Sequence, residues 1–440
     1  MKLAVVVQRY GAEINGGAEL HARYLAERLS RHAEVDVYTT CARDYVTWRN
    51  ELPAGEERAG RITVRRFPVE HPRDPHEFGR RSERVFHQSH GLADELKWLD
   101  SEGPTSPALV RALRNDVSGF DFALFFSYRY YHAFHGARAV PDKAILVPTA
   151  ERDPAIALSL FGPLFRGVRA VMYNSYEERA LINTVAANQS VPGVVVGVGS
   201  DIPERANPHH ARKKFNLRGP YAIYVGRIDE NKGCGELFAY FQRYARHYPR
   251  GLSLVLVGTP VMKIPAHPRI RHLGFLSDDD KFDAIAGADL LVMPSPYESL
   301  SMVALEAWAL GRPVLANGGC DVLRGQCIRS GAGLYYESYD EFAETMFALE
   351  SNGPMNAVLG RNGREYFKRH YAWTVIERKY LDMFDRLKRE PAKGSMEPLP
   401  GWWSRRTRNI PPAAELLAKI PSGPAVEAPA YSGKERRASP

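Results

Sequence analysis

Apolar runs of strand length recur along the chain and alternate with stretches whose apolar residues fall three or four apart. In the first half the strand-length runs lie at residues 3–8, 35–39, 62–69, 122–126, 144–147, 168–173 and 194–198, and in the second at 221–225, 253–257, 288–293 and 333–336. Those at 122–126, 144–147, 168–173 and 194–198 read as buried strands of a parallel sheet, covered on both faces. Helical spacing follows Gly17, where Leu20, Tyr24, Leu25 and Leu29 share a face, and recurs at about 78–99, 106–115, 235–247, 278–287, 301–310, 339–351, 361–369 and 373–389. This alternation predicts doubly wound α/β units. The Pro- and His-bearing segment DIPERANPHHA (201–211) reads as a linker between two of them.

The stretch at 289–320 orders itself as strand, loop, helix, strand, and two carboxylates punctuate it. Glu298 stands at the loop-to-helix junction and Glu306 is the single charge in MVALEAWAL. Were all the residues between them helical, they would lie roughly 12 Å apart along the axis and about 80° apart around it. Ser295-x-x-Glu298 also fits a capping box, in which Glu298 would only satisfy backbone N–H groups. A carboxylate on an apolar helix costs several kcal/mol unless something binds it, so Glu306 needs either a ligand or a cation such as Arg312 or Arg324.

Other stretches carry candidate chemistry. Gly16-Gly17 precedes a helix, where free N–H groups and the dipole suit a phosphate, or where the pair simply makes a tight turn. Arg227 and Lys232 sit in the glycine-bounded loop GRIDENKG at a strand's carboxyl end, placed to grip a diphosphate or to rest as solvated cations. No Ser or Thr follows the lysine, which excludes a Walker A loop. Glu151, Arg152 and Asp153 follow the 144–147 strand, where open α/β sheets bind ligands; a charged surface loop is the alternative. His132 and His135 lack a third ligand, and Asp278-Asp279-Asp280 suits a helix start, so no metal is expected.

Composition narrows the class. With 440 residues, 44% hydrophobic and 25% charged, the chain is an ordinary globular one of two or three domains. No apolar run has the roughly 20 residues of a membrane span, and MKLAVVVQRYG reads as a first strand of a cytoplasmic protein rather than a signal peptide. Cys41, Cys234, Cys320 and Cys327 lack metal or disulfide spacing. The net charge of +8 points to an anionic partner, either a phosphorylated small molecule or an anionic membrane face; no nucleic-acid-binding pattern stands out. Beyond about 391 the chain turns Pro-, Ser-, Gly- and Ala-rich and is expected to be disordered; Trp402-Trp403 with Arg405, Arg406 and Arg408 suits either an interfacial anchor or a plain tail.

Four motifs in order, GGAELHARYLAERL, YVGRIDENKG, LGFLSDDDKFDAIAGADLLVMPS and Glu298-x7-Glu306 within YESLSMVALEAWALGRPVLA, together resemble the retaining, nucleotide-sugar-dependent glycosyltransferases of GT-B fold, family 4, also called glycosyl transferases group 1. The resemblance covers about residues 1–390. It implies two Rossmann-like domains facing a central cleft, at 1–203 and 204–370, with the helix at 373–389 crossing back to the first and a tail at 391–440. It also implies roles. Glu306 would hold the donor's ribose and Glu298 a hydroxyl of its sugar; backbone N–H groups around Ser299, Leu300, Ser301 and Met302 would meet the distal phosphate. Arg227 and Lys232 would stabilise the leaving diphosphate without a metal or other cofactor, Gly16 and Gly17 would close on it, and the backbone at Phe275 would contact the base. The partners implied are a nucleotide-sugar donor and a glycan or lipid-linked acceptor, with contact at an anionic membrane face and a role in cell-surface polysaccharide or glycoconjugate synthesis.

Three positions depart from the family pattern. Glu298-Ser299-Leu300-Ser301-Met302 replaces Glu-Gly-Phe-Gly-Leu, Val198-Gly199-Ser200-Asp201 replaces Asn-Gly-Val-Asp, and Glu151 stands where a histidine is frequent in the first domain's catalytic loop. Two alternatives share the architecture: a sugar-nucleotide 2-epimerase and a non-catalytic sugar-nucleotide-binding partner.

Overall fold

The computed structural model describes residues 1–14, 16–392, 395–396, 398–399 and 417–419. Trp402-Trp403 and the basic cluster that follows them therefore lie outside the described residues. The first sheet contains β1 (Lys2–Val6), β2 (Glu34–Thr40), β3 (Gly55–Ala59), β4 (Ile62–Phe67), β5 (Phe122–Phe126), β6 (Ala144–Val147), β7 (Ala170–Tyr173) and β8 (Gly193–Val195), in the order β3-β4-β2-β1-β5-β6-β7-β8. The second contains β9 (Tyr221–Val225), β10 (Ser253–Val257), β11 (Ile270–His272), β12 (Leu290–Met293), β13 (Val314–Asn317) and β14 (Gly333–Tyr336), in the order β11-β10-β9-β12-β13-β14. All pairings are parallel except β3 with β4. The chain is thus an α/β protein with two doubly wound sheets, each reversing its strand order beside its first strand, β1 or β9.

Burial explains why these runs became strands: β5, β6, β7, β9 and β12 are buried at every residue. Two strands carry no such signal. All five residues of β3, GEERA, are exposed, and β11 is a three-residue edge strand that is at most half-buried. The predicted helix over 78–99 is two, Pro75–His87 and Leu92–Glu102, the first capped by Asp74 and the second starting at Gly91. The segment read as a linker to residue 211 ends earlier, because Asn207 caps a helix over Pro208–Lys214 whose Ala211 is buried.

One continuous core joins the facing layers of both sheets to the last helix, Trp373–Arg389. That helix packs on the first sheet, where the Phe384 ring stacks on Phe122 with centroids 5.5 Å apart. Its end is held by Arg169, whose buried guanidinium donates to the carbonyls of Leu387 (2.8 Å), Glu390 (2.6 Å) and Pro391. A cation among the final carbonyls satisfies groups that no intrahelical donor reaches and complements the helix dipole.

Candidate functional site

The candidate residues converge because they ride on loops at the carboxyl ends of strands. After β9 the chain turns through Gly226 to Gly233. Asp229 caps the short turn Glu230–Lys232 by accepting from the Lys232 N–H (2.8 Å), and it also pairs with the Arg227 side chain. Gly233 is left-handed (φ 72°), and a β-carbon there would lie 2.2 Å from the Pro294 carbonyl, so the loop presses directly on the end of β12. This approach carries Lys232 to Glu298, with Nζ and Oε1 at 2.8 Å. Burial pulls the Lys232 pKa down, but the charge of Glu298 and its hydrogen bond outweigh that, and the net direction is upward.

Glu298 is therefore an ion-pair partner and not a capping residue. Ser295 is buried and donates to the Tyr297 carbonyl (2.9 Å), while the helix begins only at Met302, with Ser301 as its N-cap. Residues 299–301 are not helical, so the spacing worked out for Glu298 and Glu306 on a continuous helix does not apply. Ser301 holds φ 70° and ψ 88°, backbone that side-chain-bearing residues rarely adopt, and its hydroxyl accepts from the Ala304 N–H at 3.4 Å. Leu300 is buried and its carbonyl accepts from Gln326 (2.5 Å). Ser299 receives a 3.4 Å hydrogen bond from Asn174, which lies beyond β7 on the opposite side of the cleft.

Glu306 lies one turn into the helix and is 4% exposed. Its cation is Lys281 (3.3 Å), and neither Arg312 nor Arg324 takes that place; Arg324 pairs with Glu337 (3.0 Å) and Asp321 (3.3 Å). The other carboxylate oxygen, Oε2, is buried without a hydrogen-bond partner among the described residues. Burial raises the Glu306 pKa, opposed by Lys281 and by the Ser200 hydroxyl from the interdomain segment. A buried acceptor left unmatched is costly, and such groups concentrate where a ligand completes the set.

The first domain supplies the opposing wall. Gly17 opens the helix Gly17–Leu29 onto free space, with nothing within 4 Å of where a β-carbon would stand, whereas a side chain at Gly16 would strike Glu19, which is locked in a buried pair with Arg9 (2.6 Å). Glu151 follows β6 and shares a cleft lining with Glu178, Glu298, Cys320 and Asp321. Burial, then the nearby charge of Glu298, raises the Glu151 pKa to about 7. Behind it the fully buried Glu178, with its pKa raised by burial to about 8, accepts from the backbone N–H groups of Ala150 (2.6 Å) and Asn174 (2.5 Å). Arg152 bridges the cleft to Asp321 (2.7 Å). Asp153 is structural instead: it pairs with Arg129 (2.5 Å) and caps the turn Pro154–Ala157. His132 is buried and His135 half-buried in the first domain, with pKa values lowered by desolvation to about 4 and about 3. Among the described residues no group of three or more His, Cys, Asp or Glu side chains is arranged to hold a metal ion. Phe275 stands 68% exposed after β11.

Sequence reasoning missed Lys281, Glu178, Asn174 and Tyr45. Lys281 was legible only as a polar position on a helix, and Glu178 as an ordinary acidic residue in a first turn; neither spacing marks a partner carried by another element. Tyr45 lies in a polar loop with no periodicity.

Residues 219–352 match the glycosyl transferases group 1 family. The described fold superposes on sucrose-phosphate synthase from Thermosynechococcus elongatus with a TM-score of 0.66 at 18% identity, covering 88% of this chain and 99% of that one. The second sheet and the helices around it thus carry a group 1 glycosyl transferase match, and the whole has the GT-B fold. The chain is 21% identical over 423 residues to an uncharacterized glycosyltransferase of Methanocaldococcus jannaschii, covering 87% of this chain and 98% of the relative. It also resembles Anabaena HepE in complex with UDP-glucose (TM-score 0.61, 15% identity, 88% and 100% covered). Arg227, Lys232, Phe275, Glu298 and Glu306 fall inside the family match, while Gly16, Gly17 and Glu151 lie outside it. No helix of the described residues is long and apolar enough to cross a membrane.

Proposed function

We propose that this protein is a glycosyltransferase that moves a sugar from a nucleoside diphosphate to a hydroxyl of a glycan or lipid-linked acceptor, with retention of configuration and without a metal. The observation that carries the reading is the buried, unmatched Oε2 of Glu306, next along the chain from a pair, Lys232 and Glu298, that is already joined. A ribose hydroxyl donating to Oε2 supplies the missing partner. Glu298 then holds a hydroxyl of the donor sugar, and Arg227 and Lys232 face the diphosphate between, where fixed cations stabilise the charge that grows as the sugar leaves. The N–H groups around Leu300 to Met302 begin a helix and suit the distal phosphate, with Gly16 and Gly17 approaching from the other domain and the backbone at Phe275 meeting the base. In the retaining step the bond from the anomeric carbon to the phosphate oxygen breaks, the acceptor oxygen bonds on the same face, and the departing phosphate takes the acceptor's proton. The binding of UDP-glucose by HepE supports a donor of this class.

Glu306→Ala and Arg227→Ala should each abolish transfer while circular dichroism stays that of the parent. Full turnover in either variant refutes the assignment. Release of an epimerised nucleotide sugar from donor alone would point to the epimerase instead.

A further inference from the structure

Tyr45 projects from the first domain onto the arginine of the second. Arg227 donates from Nη1 to the Tyr45 hydroxyl (2.5 Å), and its guanidinium carbon lies 5.5 Å from the Tyr45 ring centroid. The same ring has Arg9 at 5.5 Å, and Arg9 is tied to Glu19 in the first turn of the helix that Gly17 opens. One phenol thus connects the glycine helix start to the cation loop across the cleft, within cation–π range of both guanidiniums. The loop that presents it is firmly built. Asp44 accepts from the N–H groups of Val46 (2.9 Å) and Thr47 (2.6 Å), and Ala42 bridges to Asn50. Trp48 is buried in the left-handed region (φ 56°), its indole donating to the Glu102 carbonyl (2.8 Å). At the tip of this loop Tyr45 is 43% exposed, with its ring between the two guanidiniums.

We infer that Tyr45 is a positioning residue for transfer: it holds the Arg227 guanidinium over the cleft so that Nη2, the nitrogen without a partner among the described residues, meets the leaving diphosphate. With Nε on Asp229 and Nη1 on Tyr45, two of the three nitrogens are fixed and the plane of the fork is set. This rests on the functional reading above.

The test measures kcat and KM with UDP-glucose, GDP-mannose and ADP-glucose for the parent, Y45F, Y45A, R227A, R227K and the double variant Y45F with R227K. Tyr45→Phe should lower kcat roughly fivefold and Tyr45→Ala roughly twentyfold, with donor KM nearly unchanged, since a hydrogen bond to a charged group is lost first and then the ring. The Y45F and R227K effects should be less than multiplicative, which a merely structural tyrosine would not produce. If R227A loses turnover while both Tyr45 variants keep the parent's kcat, this proposal fails and the functional reading stands. A rise in activity on removing Tyr45 would show obstruction and overturn it as well. Full activity in R227A, or no turnover of any donor by the parent, overturns both.

Discussion

Replacing Glu151 by Gln separates its titration from its shape. In the fold, burial and the charge of Glu298 raise the Glu151 pKa to about 7 from an ordinary 4.5. The folded state therefore holds this proton more tightly than the unfolded one, and ionising it in the fold costs stability. The cost is absent below the unfolded value, accumulates as pH rises from about 4.5, and is complete above about 7. That gap corresponds to roughly 3 kcal/mol, reduced to about 2 kcal/mol by the solvent that reaches the partly exposed carboxyl. Glu178, whose pKa is raised to about 8, titrates in the same direction and is coupled to Glu151, so the comparison must be between variants rather than on the parent alone. Denaturant unfolding at pH 5 and pH 8 should show E151Q gaining about 2 kcal/mol over the parent between the two conditions. Parallel pH–stability curves for the two proteins would refute the reasoning, since they would mean that Glu151 is an ordinary solvated carboxylate.

Arg169→Ala should cost about 2 kcal/mol and raise amide hydrogen exchange along Trp373–Arg389, because three carbonyls at the helix end lose their donor; unchanged protection of that helix would count against the capping role. Ser301→Gly should leave stability within about 0.5 kcal/mol in differential scanning calorimetry, since relief at φ 70° offsets the greater freedom of the unfolded glycine, whereas Ser301→Val should lose about 2 kcal/mol at a backbone that a β-branched residue resists. Equal stability of the two Ser301 variants would show that the left-handed N-cap is not occupied.

Much of the framework was legible along the chain. Buried strands such as Phe122–Phe126 and Tyr221–Val225 announce themselves because a strand covered on both faces must be apolar at every position. The loops that follow then fall at carboxyl ends, so Arg227, Lys232, Glu298 and Glu306 could be singled out from local order. β3 stayed hidden because an exposed edge strand needs no apolar residue, and the break at Gln88 to Gly91 was lost between two helical patterns of similar phase.

Pairings across the sheets were another matter. Hydrophobic periodicity says that an element is buried but not which strand is its neighbour, and the order β11-β10-β9-β12-β13-β14 puts the loops after β9 and β12 side by side although 66 residues separate Lys232 from Glu298. That adjacency turned Glu298 from a plausible helix cap into the partner of Lys232, while the helices Asp278–Gly287 and Met302–Ala309 brought Lys281 to Glu306 instead of an arginine close in sequence. The fold also raised the Glu151 pKa to about 7, first by burying it and then by bringing a carboxylate from the opposite domain near it. Charges interact through space and through the solvent they displace, and both depend on packing that no local pattern encodes.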